Sequence, residues 1–500
     1  MKDIETRGCG VGRRSYLYGG VITLSGLAGC VGASDGRAEK DDRTSDPRAA
    51  DGPSSGGQSD GEERTDQQEG ERTETERTTI AECMTITEPG RYALETDLEA
   101  EPGETCIEIR TSDVTLDGQG YAISGPGPTE PNGFDSPLET GTAGVLVQPG
   151  TGEENETKAK TDKKKSNGHA TDGLSNVTVR NLAIEGFDAG IAFDEVTAGS
   201  IAETTTSGNR YGISLLRSAE NALANNDAFA NVGHGIRLEN ADGNRLEANA
   251  VNDNSFPAEE DSSIFFLESN ENTLVANDVD GNITGIRLEN SHENTFEENT
   301  VSDNIFDGVV LIESSANTLV RNTVNGNTNL IGISLVESHG NTIRENTANG
   351  NADCGISLLL SDENALIGNT ANSNGFEGGI LLAWSDGNTL SNNTANDNES
   401  GFGDPTLDEF TVSPGFNLFN SSVNEGRANT ARGNEGGPIQ IVGGAENSIE
   451  VNGVLYTEPT ASGETNPSVD QQTVSSAVVQ EVVETGDRES VLQMIEEASE

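Results

Sequence analysis

Three columns of asparagine, five positions apart and renewed about every 23 residues, constrain this chain more than any other feature. The first column reads Asn221, Asn244, Asn272, Asn294, Asn317, Asn341, Asn364 and Asn388. The second holds Asn226, Asn249, Asn277, Asn299, Asn322, Asn346, Asn369 and Asn393, and the third runs from Asn231 and Asn254 to Asn374 and Asn398. A unit this short cannot bury a core alone, so successive copies must stack and share one.

Each unit also carries a short apolar run, as in Gly212-Ile213-Ser214-Leu215, Gly235-Ile236-Arg237-Leu238 and Gly285-Ile286-Arg287-Leu288. The alternation has period two, so these runs are strands with Ile213 and Leu215 inward and Ser214 outward. The asparagines then fall at corners between strands, where their side chains tolerate a left-handed backbone. Identical amides about 4.8 Å apart can donate to one neighbour and accept from the other, each rung adding roughly 0.5–1.5 kcal/mol. Parallel strands joined by turns, with coils stacked at strand spacing, predict an all-β, right-handed, single-stranded parallel β-helix with Asn ladders. Eleven or twelve coils are expected over residues 79–456.

Eighty-five acidic residues against 29 basic ones give a net charge of −56. Such a surface repels nucleic acid and suits molar salt, where screening acts within about 3 Å, so the chain reads as a halophile's. Five lysines, Lys158, Lys160, Lys163, Lys164 and Lys165, gather in an inserted loop at 150–174. Residues 31–78 are acidic and poor in apolar side chains, and predict a disordered tether. After a linker at 457–468, the tail at 469–500 carries Val478, Val479, Val482, Val483, Val491, Leu492 and Ile495 at helical spacings.

Arg13-Arg14-Ser15-Tyr16-Leu17 resembles a twin-arginine export motif, and Leu27-Ala28-Gly29-Cys30 resembles a lipobox. The resemblance implies a signal over 1–30 and a lipid on Cys30, which would hold the protein on the extracellular face of the cell membrane. Cys83 and Cys106 lie 23 residues apart, about one coil, and are expected to form a disulfide. Cys354 is expected to be unpaired.

Gly-Ile-x-Leu followed by Ser-x-x-Asn-Thr-Leu-x-x-Asn-Thr resembles the NosD-like carbohydrate-binding and sugar-hydrolase β-helix repeat. Residues 83–125, with Ile86-Thr87-Glu88-Pro89-Gly90, Cys106-Ile107-Glu108-Ile109 and Val114-Thr115-Leu116-Asp117-Gly118, resemble the opening of haloarchaeal members. That resemblance implies the β-helix fold. It leaves activity open, because such repeats host binding proteins, lyases, hydrolases and epimerases.

The candidate ligand-binding set is Arg237, Glu239, Arg287 and Glu289, on outward strand positions about two coils, or 10 Å, apart. Its plain alternative is solvated ion pairs. An enzyme would draw on Asp117, Asp188 and Asp194 in the irregular first coils, or on His234, whose Gly233-His234-Gly235 setting resembles a polygalacturonase element. A lyase would add calcium; otherwise no cofactor or metal is expected. Copper handling, the other role the family name suggests, would rest on His169, His234, His292 and His339, a poor supply of soft ligands. Later outward positions turn apolar at Val310, Ile312, Val336, Leu359 and Leu381, a stripe that needs a cover from the tail or a partner. The leading expectation is a cell-surface protein with a non-catalytic glycan-binding or structural role. The alternatives are a polysaccharide-active enzyme and a copper-handling accessory, and the oligomeric state stays open.

Overall fold

The computed structural model describes residues 77–128, 141–150, 173–254, 262–399 and 413–457. The signal, the tether up to residue 76, Arg13, Arg14, Cys30, His169, residues 151–172 of the lysine-rich loop and the tail lie outside them, while Arg77 and Thr78, expected in the tether, begin the first strand. Among the described residues, thirty-nine strands run from Arg77 to Tyr456. They form a 16-stranded first sheet, a 14-stranded second sheet built from the Gly-Ile-x-Leu runs, and a discontinuous third face. Among the described residues every pairing is parallel except the closing hairpin of Ser448–Val451 with Val454–Tyr456.

One second-sheet strand per coil gives fourteen coils rather than the expected eleven or twelve. Strands such as Met84–Ile86 and Ala143–Val147 belong to complete coils that precede the asparagine repeat. The Cys83–Cys106 disulfide joins the first two of these, and Cys354 is free and buried.

Interior side chains stack in columns, as in the first-sheet row Leu246, Leu274, Phe296, Leu319, Ile343 and Leu366. All are buried. The leading glycine of Gly-Ile-x-Leu faces the third asparagine column. A Cβ on Gly285 would meet Val301 Cγ1 at 2.4 Å and the Gly308 carbonyl at 2.5 Å, so no larger residue fits.

The asparagine ladders form as expected. Asn322 Nδ2 donates to Asn346 Oδ1 at 3.0 Å and to the Phe296 carbonyl at 3.0 Å, one coil ahead and one behind. Its own Oδ1 accepts from Asn299 Nδ2 and from the Asn299 amide. Asn346 and Asn369 repeat the pattern, so each buried amide ties three coils together.

One expectation is corrected. The left-handed backbone falls on the residue before each ladder position, as at Glu298, Arg321 and Glu345, with φ of 56°, 54° and 56°. The asparagines are selected by hydrogen bonding alone, and their predecessors absorb the turn at a cost of roughly 1–2 kcal/mol each.

Two further polar ladders accompany them. In the serine column, Ser291, Ser314, Ser338 and Ser361 each donate a main-chain amide to the next coil's hydroxyl. On the adjoining turn the direction reverses. Asn270, His292, Ser315, His339 and Asp362 each accept the next coil's amide on the side chain.

Candidate functional site

The four internal stretches outside the described residues, 129–140, 151–172, 255–261 and 400–412, all interrupt the chain beside a second-sheet strand. The outer face of this sheet is also where most of the candidate residues meet. Strand register aligns Tyr211, His234, Ser262, Thr284 and Asp307 in one outer column. It aligns Ser214, Arg237, Phe265 and Arg287 in a second, and Asp194, Leu216, Glu239, Leu267 and Glu289 in a third.

In the first two columns the rings stack. Tyr211 and His234 lie 5.6 Å apart between centroids, and His234 and Phe265 lie 4.8 Å apart, both nearly parallel. Arg237 places its guanidinium 5.3 Å from the Tyr211 ring centroid and donates to Glu239 Oε2 at 2.8 Å. Arg287 reaches Glu289 Oε1 at 2.6 Å through Nε. Arg287 and both glutamates are part-exposed, so the plain alternative of solvated ion pairs applies to them more than to Arg237. Arg237 is only 7% exposed and Tyr211 8%.

Two buried polar atoms in this patch, Arg237 Nε and Ser262 Oγ, have no hydrogen-bond partner among the described residues. Buried polar atoms are rarely left unpaired, so each is a position for water or a ligand hydroxyl.

Burial drives His234 down to about 3, reinforced by Arg237 and Arg287 and opposed by its bond to the Ser262 carbonyl. Its Nδ1 lies 2.6 Å from that carbonyl, so the neutral ring donates there and makes a poor base at neutral pH. Burial pushes Asp194 up to about 6 against the pull of Arg217, with Glu195 and Glu239 adding to the rise. Arg217 Nη2 grips both Asp194 oxygens at 2.5 and 2.7 Å.

Of the other enzymic candidates, Asp117 does not join this patch, and Asp188 meets it through its carbonyl, which accepts the Tyr211 amide at 3.0 Å. Asp117 sits on the first sheet, bonded to the Gln119 amide, Asn181 and Arg180. Those contacts outweigh its partial burial and hold its acidity constant below the ordinary carboxylate range. Asp188 is fully buried and accepts from the Thr142 amide at 2.8 Å and the Thr142 hydroxyl at 3.1 Å, a tie between coils. It stands at the far end of the strand from Asp194, about 20 Å away at strand rise. A shallow groove of about 430 Å³ lies elsewhere, over turns at Gln119, Asn181 and Glu203, and contains no buried unpaired side-chain atom.

Residues 140–259 and 257–404 match the family model described as "Periplasmic copper-binding protein (NosD)". This parallel β-helix therefore belongs to the NosD family. No curated protein sequence matches the chain. Among solved structures it is similar to the A-module of mannuronan C-5 epimerase AlgE4 from Azotobacter vinelandii, at 13% identity and a TM-score of 0.38, covering 75% of this chain and 88% of that one. It is also similar to a tailspike mutant of E. coli bacteriophage HK620 in complex with pentasaccharide, at 11% identity and a TM-score of 0.48, covering 73% and 69%.

The described residues do not fit the copper of the family description. No group of three or more His, Cys, Asp or Glu among them is placed to hold a metal ion. His292 and His339 each spend Nδ1 as an acceptor at 3.0 Å in the turn ladder, and they stand two coils apart. Cys354 is buried within the apolar part of the face.

Proposed function

We propose that this protein binds an uncharged, hydroxyl-rich glycan along the outer face of the second sheet without cleaving it. The observation that carries the reading is the pair of unpaired buried atoms, Arg237 Nε and Ser262 Oγ, beside the Tyr211–His234–Phe265 stack. Sugars present hydroxyls on their edges and C–H faces that pack on rings, and the part-exposed Phe265 ring at the edge of the stack suits the second. Both arginines are neutralised by glutamates, and the chain carries −56 overall, so a polyanion is disfavoured. The twin-arginine and lipobox resemblances add export and a lipid on Cys30 to the proposal. Mass analysis of the mature amino terminus tests them, and an unmodified Cys30 refutes the anchor.

The test is affinity electrophoresis of the intact protein through gels containing neutral or acidic polysaccharides, in molar salt. Retardation by a neutral polymer is expected. It should weaken about tenfold in Tyr211→Ala, the loss of one stacked ring worth roughly 1–1.5 kcal/mol. Retention that survives Tyr211→Ala places binding elsewhere.

One geometric fact favours a second reading. Asp194 and Glu239 are in register two coils apart, about 10 Å, close to the carboxyl spacing of inverting glycosidases. Arg217's hold on Asp194 opposes an acid role. New reducing ends lost in Asp194→Asn would establish the enzyme instead.

A further inference from the structure

The later coils of the same outer face turn apolar. Val336, Leu359, Ala383 and Phe419 follow one another in register, Leu381 lies in the neighbouring column, and Leu360 and Cys354 complete a cluster separate from the helix interior. The chain's single tryptophan, Trp384, borders it, set edge-on to Phe419 at 4.8 Å. Trp384 and Leu360 both have left-handed φ, 46° and 51°, in a turn column that Glu313, Glu337 and Asn420 occupy in nearby coils. Two bulky apolar residues in strained positions on adjacent coils mark a face shaped for contact.

That face is covered. Val336 is 2% exposed and Leu381 5%. Vertical stacking does not explain such values, because first-sheet strands stack identically yet alternate half-buried, buried, half-buried, as Thr273–Val275 and Ala365–Ile367 do. The second-sheet strands Cys354–Leu359 and Gly378–Ala383 are buried at every position. Among the described residues, only Ile331, Trp384 and Val442 are partly buried apolar groups packed against the cluster. Asn417, between Leu381 and Gln440 in register, also has a buried Oδ1 without a partner among them.

We propose that the carboxy-terminal segment 469–500 of the same chain is the cover, laid along the strip with Val478, Val479, Val482 and Val483, or Val491, Leu492 and Ile495, facing it. Lengths and positions agree. From Val336 to Val442 the strip climbs four coil steps, about 19 Å, and a helix of about twelve residues spans some 18 Å. The described chain ends at residue 457 beside the last coil, at the strip's own end, and residues 458–468 reach at most about 36 Å. Asn417 Oδ1 offers the segment a hydrogen-bond acceptor.

Trp384 is the reporter. In the full-length chain, Val482→Asp combined with Leu492→Asp should move its emission to longer wavelength and increase quenching by acrylamide, equally at all protein concentrations. The conservative pair Val482→Leu and Leu492→Met should leave both unchanged. A dansyl group on Ser490→Cys should accept energy from Trp384 within a monomer, a reading that needs no disruptive change. Unmoved emission in the aspartate pair, or no transfer to the dansyl group, overturns the proposal. A shift obtained on dilution of the unaltered protein assigns the cover to a second copy, and one produced instead by Phe410→Asp assigns it to segment 400–412; either also overturns it.

Discussion

Two stretches of the second sheet share a backbone, an interior and a set of ladders, yet their outer rows differ in kind. From Tyr211 to Glu289 those rows hold rings, arginines and carboxylates, with two buried polar atoms unpaired. From Ile312 to Val442 one outer row is wholly apolar, through Val336, Leu359, Ala383 and Phe419, while its neighbour mixes Val310 and Leu381 with Ser334, Ser357, Gln440 and the unpaired Asn417. Because the coil is closed by asparagine and serine on its corners, the outer rows are relieved of any part in holding it shut. A repeat that binds itself through its corners leaves its faces free to diverge.

The largest expected effect bears on the part the two stretches share. Asn226→Leu in the first and Asn369→Leu in the second should cost similar amounts, about 3 kcal/mol or more, since each strands buried partners worth roughly 1–3 kcal/mol apiece. Denaturant midpoints measure this, and a strong inequality between the sites would break the claim that the ladders are indifferent to the faces. Next comes the disulfide outside both stretches. Cys83→Ser with Cys106→Ser should remove about 3 kcal/mol, the value for a loop of this length, at the amino-terminal end alone.

A smaller effect separates the stretches by pH. At their boundary Asp307 is pushed up to about 7, first by burial and then by Asp353, against its bond to the Ile331 amide and the pull of Arg287. Its folded value lies above the unfolded value of about 3.9, so its contribution to stability is full below pH 4 and lost as pH rises through about 7. Asp307→Asn keeps an oxygen for the Ile331 amide and cannot ionise. It should raise the melting temperature at pH 8 relative to the parent and leave it nearly unchanged at pH 4; equal changes at both would refute the assignment. The smallest effect is expected from Arg237→Gln. It should weaken glycan retardation severalfold with little change in melting, whereas Ser357→Gln in the apolar stretch should not touch binding.

Much of the fold was legible because hydrogen bonding at corners imposes residue identity. Asparagine at a fixed spacing announces the ladder, and serine three positions before it, at Ser291, Ser314 and Ser338, carries the same signal for the second ladder. The mixed turn ladder through Asn270, His292, Ser315 and His339 was not legible, because it asks only for an acceptor and many side chains supply one. The site was half legible. Arg237, Glu239, Arg287 and Glu289 fell where alternation placed them, but their burial depends on whatever lies over the sheet, which no alternation encodes. Asp117, Asp188 and Asp194 do not converge for two different reasons: Asp117 falls on the first sheet, and Asp188 shares a coil with Asp194 but stands a whole strand away from it.

Because most asparagine rungs present the same donors and acceptors, the ladder bonds alone do not distinguish one coil from the next. Only a non-repeating landmark defines the reading frame. The covalent clasp between the first two coils is such a landmark, acting less as a strengthener than as the zero mark from which the others count upward.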